Sequence, residues 1–354
     1  MNGNNNISQY EVIRQLRFPM IVLVTFAHSY GKVAEGFSLL TSDWNTYEFL
    51  KLFLSQTLVK VAMPVFFIMS GYLFFANVSK WNLATYKKKI LRRIKTLLMP
   101  YLIWNLLMAV KLKTFSWGMF WACSVPAGRQ IDWLGHEQLM TAPVNMPLWF
   151  LRDLMVVSLL TPIIYILIRK LGYWLIAALT ILYLSGLCAF IPGLSAYAVY
   201  FFTFGAFLGI RKRDLIADLR RLEWPAYILS IAFAIAMMLT YNTPVFSSLM
   251  LCFRLVGAVA VFCLASRVLT TTNRRLPIMV CDSAYFIYLA HYVFFFSFID
   301  TAFFDLFGTS VTALSIHYLL APLLKAAILA AVYVVYRVLQ GSILTIQSEN
   351  AKNK

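Results

Sequence analysis

Long apolar runs, separated by short polar or basic stretches, dominate this chain. Runs of about 18 or more apolar residues are typical of helices that cross a membrane. The pattern predicts ten spans, whose boundaries are defined to about 2–4 residues. They are 17–36, 56–76, 95–110, 147–168, 173–191, 196–210, 224–241, 245–264, 276–298 and 311–336. The expected fold class is therefore an all-α integral membrane protein with about ten transmembrane helices.

The basic residues indicate how these spans are oriented. Most of the 31 lysines and arginines fall on one side of the predicted membrane, for example in KKKILRRIK (87–95) and RKRDLIADLRR (211–221). Cytoplasmic loops carry such an excess of positive charge. The bias supports an even number of spans with the N- and C-termini in the cytoplasm.

The domain organisation follows from the spans. We expect one membrane domain over residues 17–338, a cytoplasmic N-terminal segment over 1–16 and a cytoplasmic tail over 339–354. The stretch FPMIVLVTFAHSYG (18–31) has no convincing small-residue cleavage site, so it is interpreted as an uncleaved first span. Within the second span, Ser70 and Gly71 are expected to let two helices approach closely.

Composition agrees with this picture, because 61% of the residues are hydrophobic and only 13% are charged. Soluble domains carry about twice that charged fraction. The net charge of +17 is explained by basic loops that contact anionic lipid, and no nucleic-acid-binding module is present. Five scattered cysteines and four widely spaced histidines predict neither a disulfide framework nor a metal site, and no phosphate-loop or dinucleotide motif predicts a bound cofactor.

Two ionisable residues of the first span are candidates for chemistry. Arg17 and His28 are eleven residues apart, which puts them on one helix face at about 16 Å separation. A histidine within the membrane is a functional hypothesis by default, and its neutral imidazole can take a proton from a hydroxyl. The alternatives are a histidine that only packs against a neighbouring carbonyl, and arginines at 14 and 17 that only hold the N-terminus inside.

Later spans add further candidates. Arg152 and Asp153 open the fourth span, and because adjacent helical residues do not face each other, each is expected to pair elsewhere. Arg152 would lie beside the acceptor or a developing oxyanion, and Asp153 could orient His28; a structural ion pair is the alternative. His291 is a second candidate, or a helix-to-helix hydrogen bond. Three more cations lie within spans and would face a water-filled cavity or extend to the interface: Lys60, Arg254 and Lys325.

Five segments, in this order, resemble those of the membrane-bound acyltransferase family 3 proteins. An arginine, ten residues and a histidine in the first span are the family's signature. The segments are RQLRFPMIVLVTFAH (14–28), MPVFFIMSGYLFF (63–75), RRIKTLLMPYLIW (92–104), PLWFLRDLMVVSLLTPII (147–164) and SAYFIYLAHYVFF (283–295). The five segments are distributed over nearly the whole chain.

The resemblance implies an enzyme of the bacterial cytoplasmic (inner) membrane. Such an enzyme transfers an acyl group other than aminoacyl, often acetyl, to a hydroxyl of a cell-surface or periplasmic glycan. The donor is a cytoplasmic acyl-coenzyme A, which is a substrate rather than a bound cofactor. The expected partners are therefore membrane lipid, acyl-coenzyme A and a glycan, and the sequence predicts no oligomeric state.

The resemblance also assigns roles to single residues. It implies that Arg17 binds the donor, that His28 is the catalytic base, and that Arg93 and His291 are family positions. Arg14 stands where many members have an acid, so it would add a second cation to a phosphate-binding edge. Lipid headgroup contact is the alternative for the basic stretch around Arg93.

Two other functions remain open at this point. The first is an exporter or flippase of a polysaccharide or lipid-linked sugar, although the spans are nearly free of carboxylates and show no inverted repeat. The second is a lipid-linked glycosyltransferase, which would need an acid in the first outer loop. Glu35, Asp43 and Glu48 lie there or at its edge, as in many solvated loops.

Overall fold

The computed structural model of the chain consists almost entirely of helices. It describes residues 7–29, 33–34, 37–40, 45–113, 117–121, 130–131, 137–138, 142–186, 193–294 and 297–352. The first helices are α1 (Gln9–Ser29), α2 (Thr46–Leu50), α3 (Ala62–Ala76), α4 (Leu83–Arg93), α5 (Met99–Lys111), α6 (Trp149–Leu159), α7 (Thr161–Leu171) and α8 (Tyr173–Leu184). They are followed by α9 (Ala196–Ile210), α10 (Leu215–Arg220), α11 (Glu223–Leu239), α12 (Pro244–Thr272), α13 (Ile278–Ala290), α14 (Ser297–Phe307) and α15 (Val311–Lys352).

Short irregular helical segments join several of these helices. A π-helical segment (Lys51–Thr57) and a 3-10 segment (Leu58–Val61) connect α2 to α3, and a π-helical segment (Ile94–Leu98) connects α4 to α5. Two 3-10 turns, Trp117–Phe120 and Met146–Leu148, precede α6. Strands β1 (Gln130–Ile131) and β2 (Glu137–Gln138) form a small antiparallel ladder.

The helices have the apolar character and length of a membrane protein. In the described part of the chain, four continuous helices are long and apolar enough to cross a membrane, and the bent pair α6–α7 would be a fifth. The four are Thr46–Ala76, Leu83–Lys111, Pro244–Thr272 and Val311–Gln340. Four shorter apolar helices, α8, α9, α11 and α13, accompany them. The all-α class is thereby confirmed, and the apolar helices agree with a membrane protein, whereas the number of ten spans and the side of the termini remain predictions.

The first helix begins earlier than the sequence pattern predicts. Helix α1 starts at Gln9 and ends at Ser29, instead of covering 17–36. The polar residues before Arg17 are helical because their side chains have partners. The Gln15 amide donates to the Leu276 carbonyl at 3.1 Å and accepts from the Leu276 N–H at 2.8 Å.

The predicted fourth span, 147–168, is broken near its centre. Helix α6 ends at Leu159, α7 begins at Thr161, and the two axes differ by 62°. Pro162 is the second residue of α7, where its ring prevents a continuous hydrogen-bond ladder across the junction. The periodicity of apolar residues does not register this break because both halves are apolar.

Helices α3 and α9 cross in very close contact. A Cβ added at Gly71 would lie 2.0 Å from the Phe202 carbonyl oxygen, and one at Gly205 would lie 2.1 Å from the Ile68 carbonyl oxygen. Only glycine permits this approach of two backbones, as in other membrane helix pairs. The prediction that Gly71 lets helices approach closely is confirmed.

Polar contacts join the ends of several helices on the side with the basic loops. The Tyr10 hydroxyl donates to Asn77 Oδ1 at 2.9 Å, and Lys212 Nζ donates to two carbonyls at the end of α3. At α10, the hydrogen-bonded Arg213 guanidinium lowers the pKa of the Asp218 carboxyl below its usual range. These contacts fix the ends of α1, α3 and α9 relative to one another.

Candidate functional site

A cavity of about 320 Å³ lies between α1, α3, α6 and α13, toward the basic end of the helices. Arg17 and Arg93, two of the residues predicted from sequence, both line it. Most of its remaining wall is apolar, with Tyr285 and Tyr288 among the polar exceptions. The structure therefore brings two of the three predicted donor-binding arginines to one cavity.

A second, more polar cavity of about 560 Å³ adjoins the first. Both are lined by Arg93 and Thr96, and the second also by Lys88, Lys89 and Arg92 of α4. The Asn82 side chain caps α4 by accepting from the Thr85 N–H at 2.8 Å, so the helix that carries these cations is fixed at its start. A basic entrance thus leads to an apolar interior.

Arg93 stands where the two cavities meet. Its guanidinium carbon lies 5.0 Å from the centre of the Phe74 ring, and Lys89 Nζ lies 5.0 Å from the same ring. This stacking orients both cations. Arginine is also suited to bidentate binding of phosphate oxygens.

Arg17 has an acidic neighbour that the sequence interpretation missed. Its Nη1 lies 3.6 Å from Asp282 Oδ1, and both side chains are partly exposed at the cavity. Many family members have an acid three residues before this arginine, where the present chain has Arg14. Here the acid near Arg17 is Asp282, which comes from α13. The available signal was a carboxylate inside a predicted span, which is rare without a partner.

Arg14 itself points to a different neighbour. It forms an ion pair with Glu11, its side chain is 36% exposed, and it does not line the cavity that holds Arg17. Its predicted part in binding acyl-coenzyme A stays a prediction. The geometry gives this role more support at Arg17 and Arg93.

His28 and His291, predicted from separate spans, lie next to each other. Their ring centroids are 5.3 Å apart, and the Tyr292 ring is 5.7 Å from that of His28. His28 lies in the last turn of α1 and His291 directly follows α13. The packing of α1 against α13 therefore places two imidazoles at one point.

The hydrogen bonds of His291 indicate its tautomer. Nδ1 lies 2.8 Å from the Tyr288 carbonyl oxygen and 3.1 Å from the Ile287 carbonyl oxygen. Carbonyl oxygens only accept, so the neutral ring carries its hydrogen on Nδ1. Nε2 is then an unprotonated acceptor, and it is buried with no hydrogen-bond partner among the residues described. This nitrogen is available to a ligand or a proton.

Tyr288 connects the cavity with the histidine pair. Its side chain lines the cavity, and its ring centroid is 6.3 Å from that of His291. The Tyr288 hydroxyl donates to the Pro147 carbonyl at 2.6 Å, which fixes the ring in place. Along α1, Arg17 and His28 are separated by about 16 Å. The two predicted centres are thus about three turns of α1 apart, and Tyr288 both lines the cavity and lies beside His291.

The expectation that Arg152 and Asp153 pair with different neighbours is wrong. Arg152 Nε donates to Asp153 Oδ1 at 3.1 Å, and the two side chains are 1% and 0% exposed. The long guanidinium arm folds back across one residue, because burial leaves both charges in need of a partner. The rule that adjacent side chains of a helix do not meet holds for exposed helices and does not apply to such a buried pair.

The same pair ties separate elements together instead of reaching the histidines. Asp153 Oδ2 accepts from the Ser195 hydroxyl at 2.7 Å, and Arg152 Nη1 donates to the Trp121 carbonyl at 2.6 Å. Asp153 forms no hydrogen bond with His28 in the part of the chain that the structure describes. The hypothesis that Asp153 orients His28 is not supported, and a structural role fits these contacts better.

Other predicted positions have different outcomes. Lys325 Nζ contacts both carboxylate oxygens of Asp300, at 2.9 and 3.0 Å, instead of facing a cavity or the interface. Glu48 pairs with Lys51, while Glu35 and Asp43 lie outside the described residues. Among the described histidines, cysteines and carboxylates, no group of three is placed to hold a metal ion.

Comparison with known proteins gives the family. No solved structure matches the chain. The succinoglycan biosynthesis protein ExoH of Rhizobium meliloti (strain 1021) is 28% identical over 168 residues, which are 45% of this chain and 43% of that protein. The match therefore spans less than half of the relative's length. The family model described as an acyltransferase domain matches residues 11–337, so the chain belongs to this acyltransferase family.

Proposed function

We propose that the protein is an integral membrane O-acyltransferase of the bacterial inner membrane. It transfers an acyl group, for which acetyl is the expected chain, from cytoplasmic acyl-coenzyme A to a hydroxyl of a cell-surface or periplasmic glycan. The observation that carries this proposal is the arrangement of Arg17 and Arg93 at one cavity and of the His28–His291 pair beyond it. The family membership and the relative named for succinoglycan biosynthesis support the reaction class and the glycan acceptor.

The two adjoining cavities suit the two parts of acyl-coenzyme A. The phosphates would bind at the basic entrance, where Arg93 and its neighbours on α4 offer charge-assisted hydrogen bonds. The narrow pantetheine arm would then follow the apolar cavity toward Tyr288. Arg17, on the cavity wall, would bind a polar group of the donor, which would compete with the Asp282 carboxylate for the Arg17 guanidinium.

The histidine pair suits the acceptor half of the reaction. His28 takes the proton of the acceptor hydroxyl while its oxygen attacks the thioester carbonyl carbon. A C–O bond forms, the C–S bond breaks, and the proton passes from His28 to the departing thiolate. His291, whose Nε2 has no partner among the residues that the structure describes, accepts a hydrogen bond from the acceptor or from His28 and so holds the reacting groups in place. Direct transfer needs no covalent acyl-enzyme.

Export of a glycan or lipid-linked sugar is the weaker alternative. The family model matched is that of an acyltransferase domain. In the described part of the chain, seven carboxylates form ion pairs with cations, and none of these is left as a free proton carrier. These observations favour acyl transfer.

Membrane vesicles test the proposal directly. Inverted vesicles expose the cytoplasmic face, so acyl-coenzyme A labelled in its acyl group can be added outside while the acceptor glycan is enclosed. The proposal predicts label on the enclosed glycan with the intact protein and none with His28→Ala. Label that stays on coenzyme A with the intact protein, under conditions where the glycan is exported, would instead support the alternative.

A further inference from the structure

Two cationic side chains within the helix bundle, Lys60 and Arg254, have no carboxylate partner in the part of the chain that the structure describes. Lys60 lies in the 3-10 segment before α3, and Arg254 lies in α12. The carboxylates that do form ion pairs are all engaged by other cations. The pairs are Glu11–Arg14, Glu48–Lys51, Asp153–Arg152, Asp218–Arg213, Glu223–Arg267, Asp282–Arg17 and Asp300–Lys325.

Close packing brings these two cations together. A Cβ added at Gly257 would lie 2.6 Å from Val61 Cγ1, so α12 and the segment that carries Lys60 are in tight contact. Arg254 is about one helical turn from Gly257, and Lys60 adjoins Val61. Lys60 interacts electrostatically with both Arg254 and His28. Lys60 therefore acts on the region of the proposed catalytic base, and Arg254 acts on Lys60.

Helix geometry also puts Lys60 at the depth of His28. The hydrogen bond from Tyr10 to Asn77 joins α1 and α3 at their cytoplasmic ends. His28 lies eighteen residues after Tyr10 along α1. Lys60 lies seventeen residues before Asn77, in the segment that leads into α3. Both distances are about 26 Å. His28 and Lys60 therefore lie at about the same depth in the bundle.

Arg254 is held in place but not neutralised. Its guanidinium carbon lies 4.8 Å from the centre of the Tyr197 ring, a contact that orients the cation. Its Nε is buried and has no hydrogen-bond partner among the described residues. An unpaired cation in a low-dielectric interior is costly, and within a membrane it is by default a candidate for a functional site. By contrast, Lys51 and Lys325 of the same bundle each have a carboxylate.

We propose that Lys60 and Arg254 bind a carboxylate of the substrate beside His28, and that the enzyme therefore acts on an anionic substrate. The planar guanidinium matches a carboxylate in a bidentate fashion, and the lysine adds a point charge. The carboxylate belongs either to an acidic sugar of the acceptor or to the free end of a dicarboxylic acyl group. The assignment rests on the acyl transfer proposed above.

Transfer kinetics in vesicles separate these sources. The acceptors are an oligosaccharide that contains a uronic acid and the same oligosaccharide after reduction of its carboxyl to an alcohol. The donors are acetyl-coenzyme A and the coenzyme A monothioester of a dicarboxylic acid. Loss of rate on carboxyl reduction assigns the carboxylate to the sugar, whereas a preference for the dicarboxylic donor assigns it to the acyl group.

The variants Lys60→Met and Arg254→Gln then test the site. Each is expected to raise the KM for the carboxylate-bearing substrate by about tenfold or more, with a smaller effect on kcat, because a charge-assisted hydrogen bond is lost. With the neutral counterpart of that substrate, the two variants should be as active as the unaltered protein. Lys60→Arg should keep most of the activity with the carboxylate-bearing substrate. Lys170→Met, at the exposed end of α7, is the matched control and should behave as the unaltered protein.

Equal losses with charged and neutral substrates would mean a structural role and would overturn the carboxylate site. Indifference of the unaltered protein to the substrate's charge would overturn it as well, while leaving acyl transfer intact. Absence of transfer with every donor and acceptor would contradict the proposed function itself, and the carboxylate site with it.

Discussion

At the scale of single residues, the contact between His28 and His291 is the feature on which the chemistry depends. Nδ1 of His291 is bonded to backbone carbonyls, so Nε2 is the ring nitrogen left without a hydrogen-bond partner among the described residues. His291→Phe keeps the ring packing near His28 and removes that nitrogen. We expect transfer to fall by about tenfold to a hundredfold, because a buried hydrogen bond that holds the reacting groups is lost.

The control for His291→Phe is Tyr292→Phe, which retains the neighbouring ring that faces His28. Rates are measured in vesicles at equal amounts of protein, determined by immunoblotting. Unchanged transfer with His291→Phe would show that His28 works without this neighbour.

Arg17 gives a separate prediction for the donor. Arg17→Gln should raise the KM for acyl-coenzyme A by about tenfold, since a charged hydrogen-bond donor is lost from the cavity wall. Asp282→Asn should lower that KM or leave it unchanged, because the competing carboxylate is removed. Initial rates at varied donor concentration provide the measurement.

Arg14→Gln is the matched control, because Arg14 pairs with Glu11 outside the cavity. A rise in KM as large as that of Arg17→Gln would show that Arg14 also binds the donor, as the sequence interpretation supposed. A KM that does not respond to Arg17→Gln would contradict the proposed donor site.

The sequence predicted single residues unevenly. His28 and His291 were found because an ionisable group is costly in a membrane, whereas Arg17 and Arg93 were assigned to the donor by the family resemblance. The structure brings the two histidines together and the two arginines to one cavity. The Arg152–Asp153 pair was misjudged, because spacing rules for exposed helices ignore how a buried arm folds back. Asp282 was missed although a carboxylate inside a predicted span is itself a signal, because its partner Arg17 is on another helix and local spacing does not identify it.

At the scale of helices, the crossing of α3 and α9 is the most demanding contact. Gly205→Ala would put a Cβ 2.1 Å from a backbone oxygen of α3, which cannot move as a flexible side chain would. Overpacking of this kind costs about 1–3 kcal/mol or more, so we expect a lower thermal unfolding midpoint and less folded protein. Thermal unfolding of detergent-solubilised protein measures this.

Gly308→Ala serves for comparison, since an added Cβ there meets nothing within 4 Å although φ is +68°. Its cost is the backbone strain of about 1 kcal/mol alone. A Gly205→Ala protein that is as stable as Gly308→Ala would mean that α3 and α9 separate readily.

Helix existence was predicted from sequence more accurately than helix ends. Apolar periodicity finds a helix for each predicted span, because burial in lipid and in the bundle selects apolar residues alike. It does not detect the start of α1, where Gln15 is bonded to the backbone beyond α12. Nor does it detect the 62° bend at Pro162 between two equally apolar halves.

At the scale of the whole molecule, the topology is a prediction that labelling can test. In a variant without native cysteines, Leu40→Cys should react with a membrane-impermeant maleimide in intact spheroplasts, because 37–40 belongs to the predicted first outer loop. Lys170→Cys, at the end of α7, should react only after permeabilisation, since the predicted fourth span ends inside.

Labelling of both positions from outside would mean that the bent α6–α7 pair returns to the side from which it enters. The predicted number of spans would then be wrong, and every later loop would change sides.

The central claim is that the protein acylates a glycan and needs His28 to do so. Mass analysis of surface glycans tests it in cells that carry the intact gene, no gene, or His28→Ala at the same protein level. The account predicts that the acyl mass increment appears only with the intact gene. The same increment with His28→Ala, or an unmodified glycan that merely becomes less abundant at the surface without the gene, would contradict it.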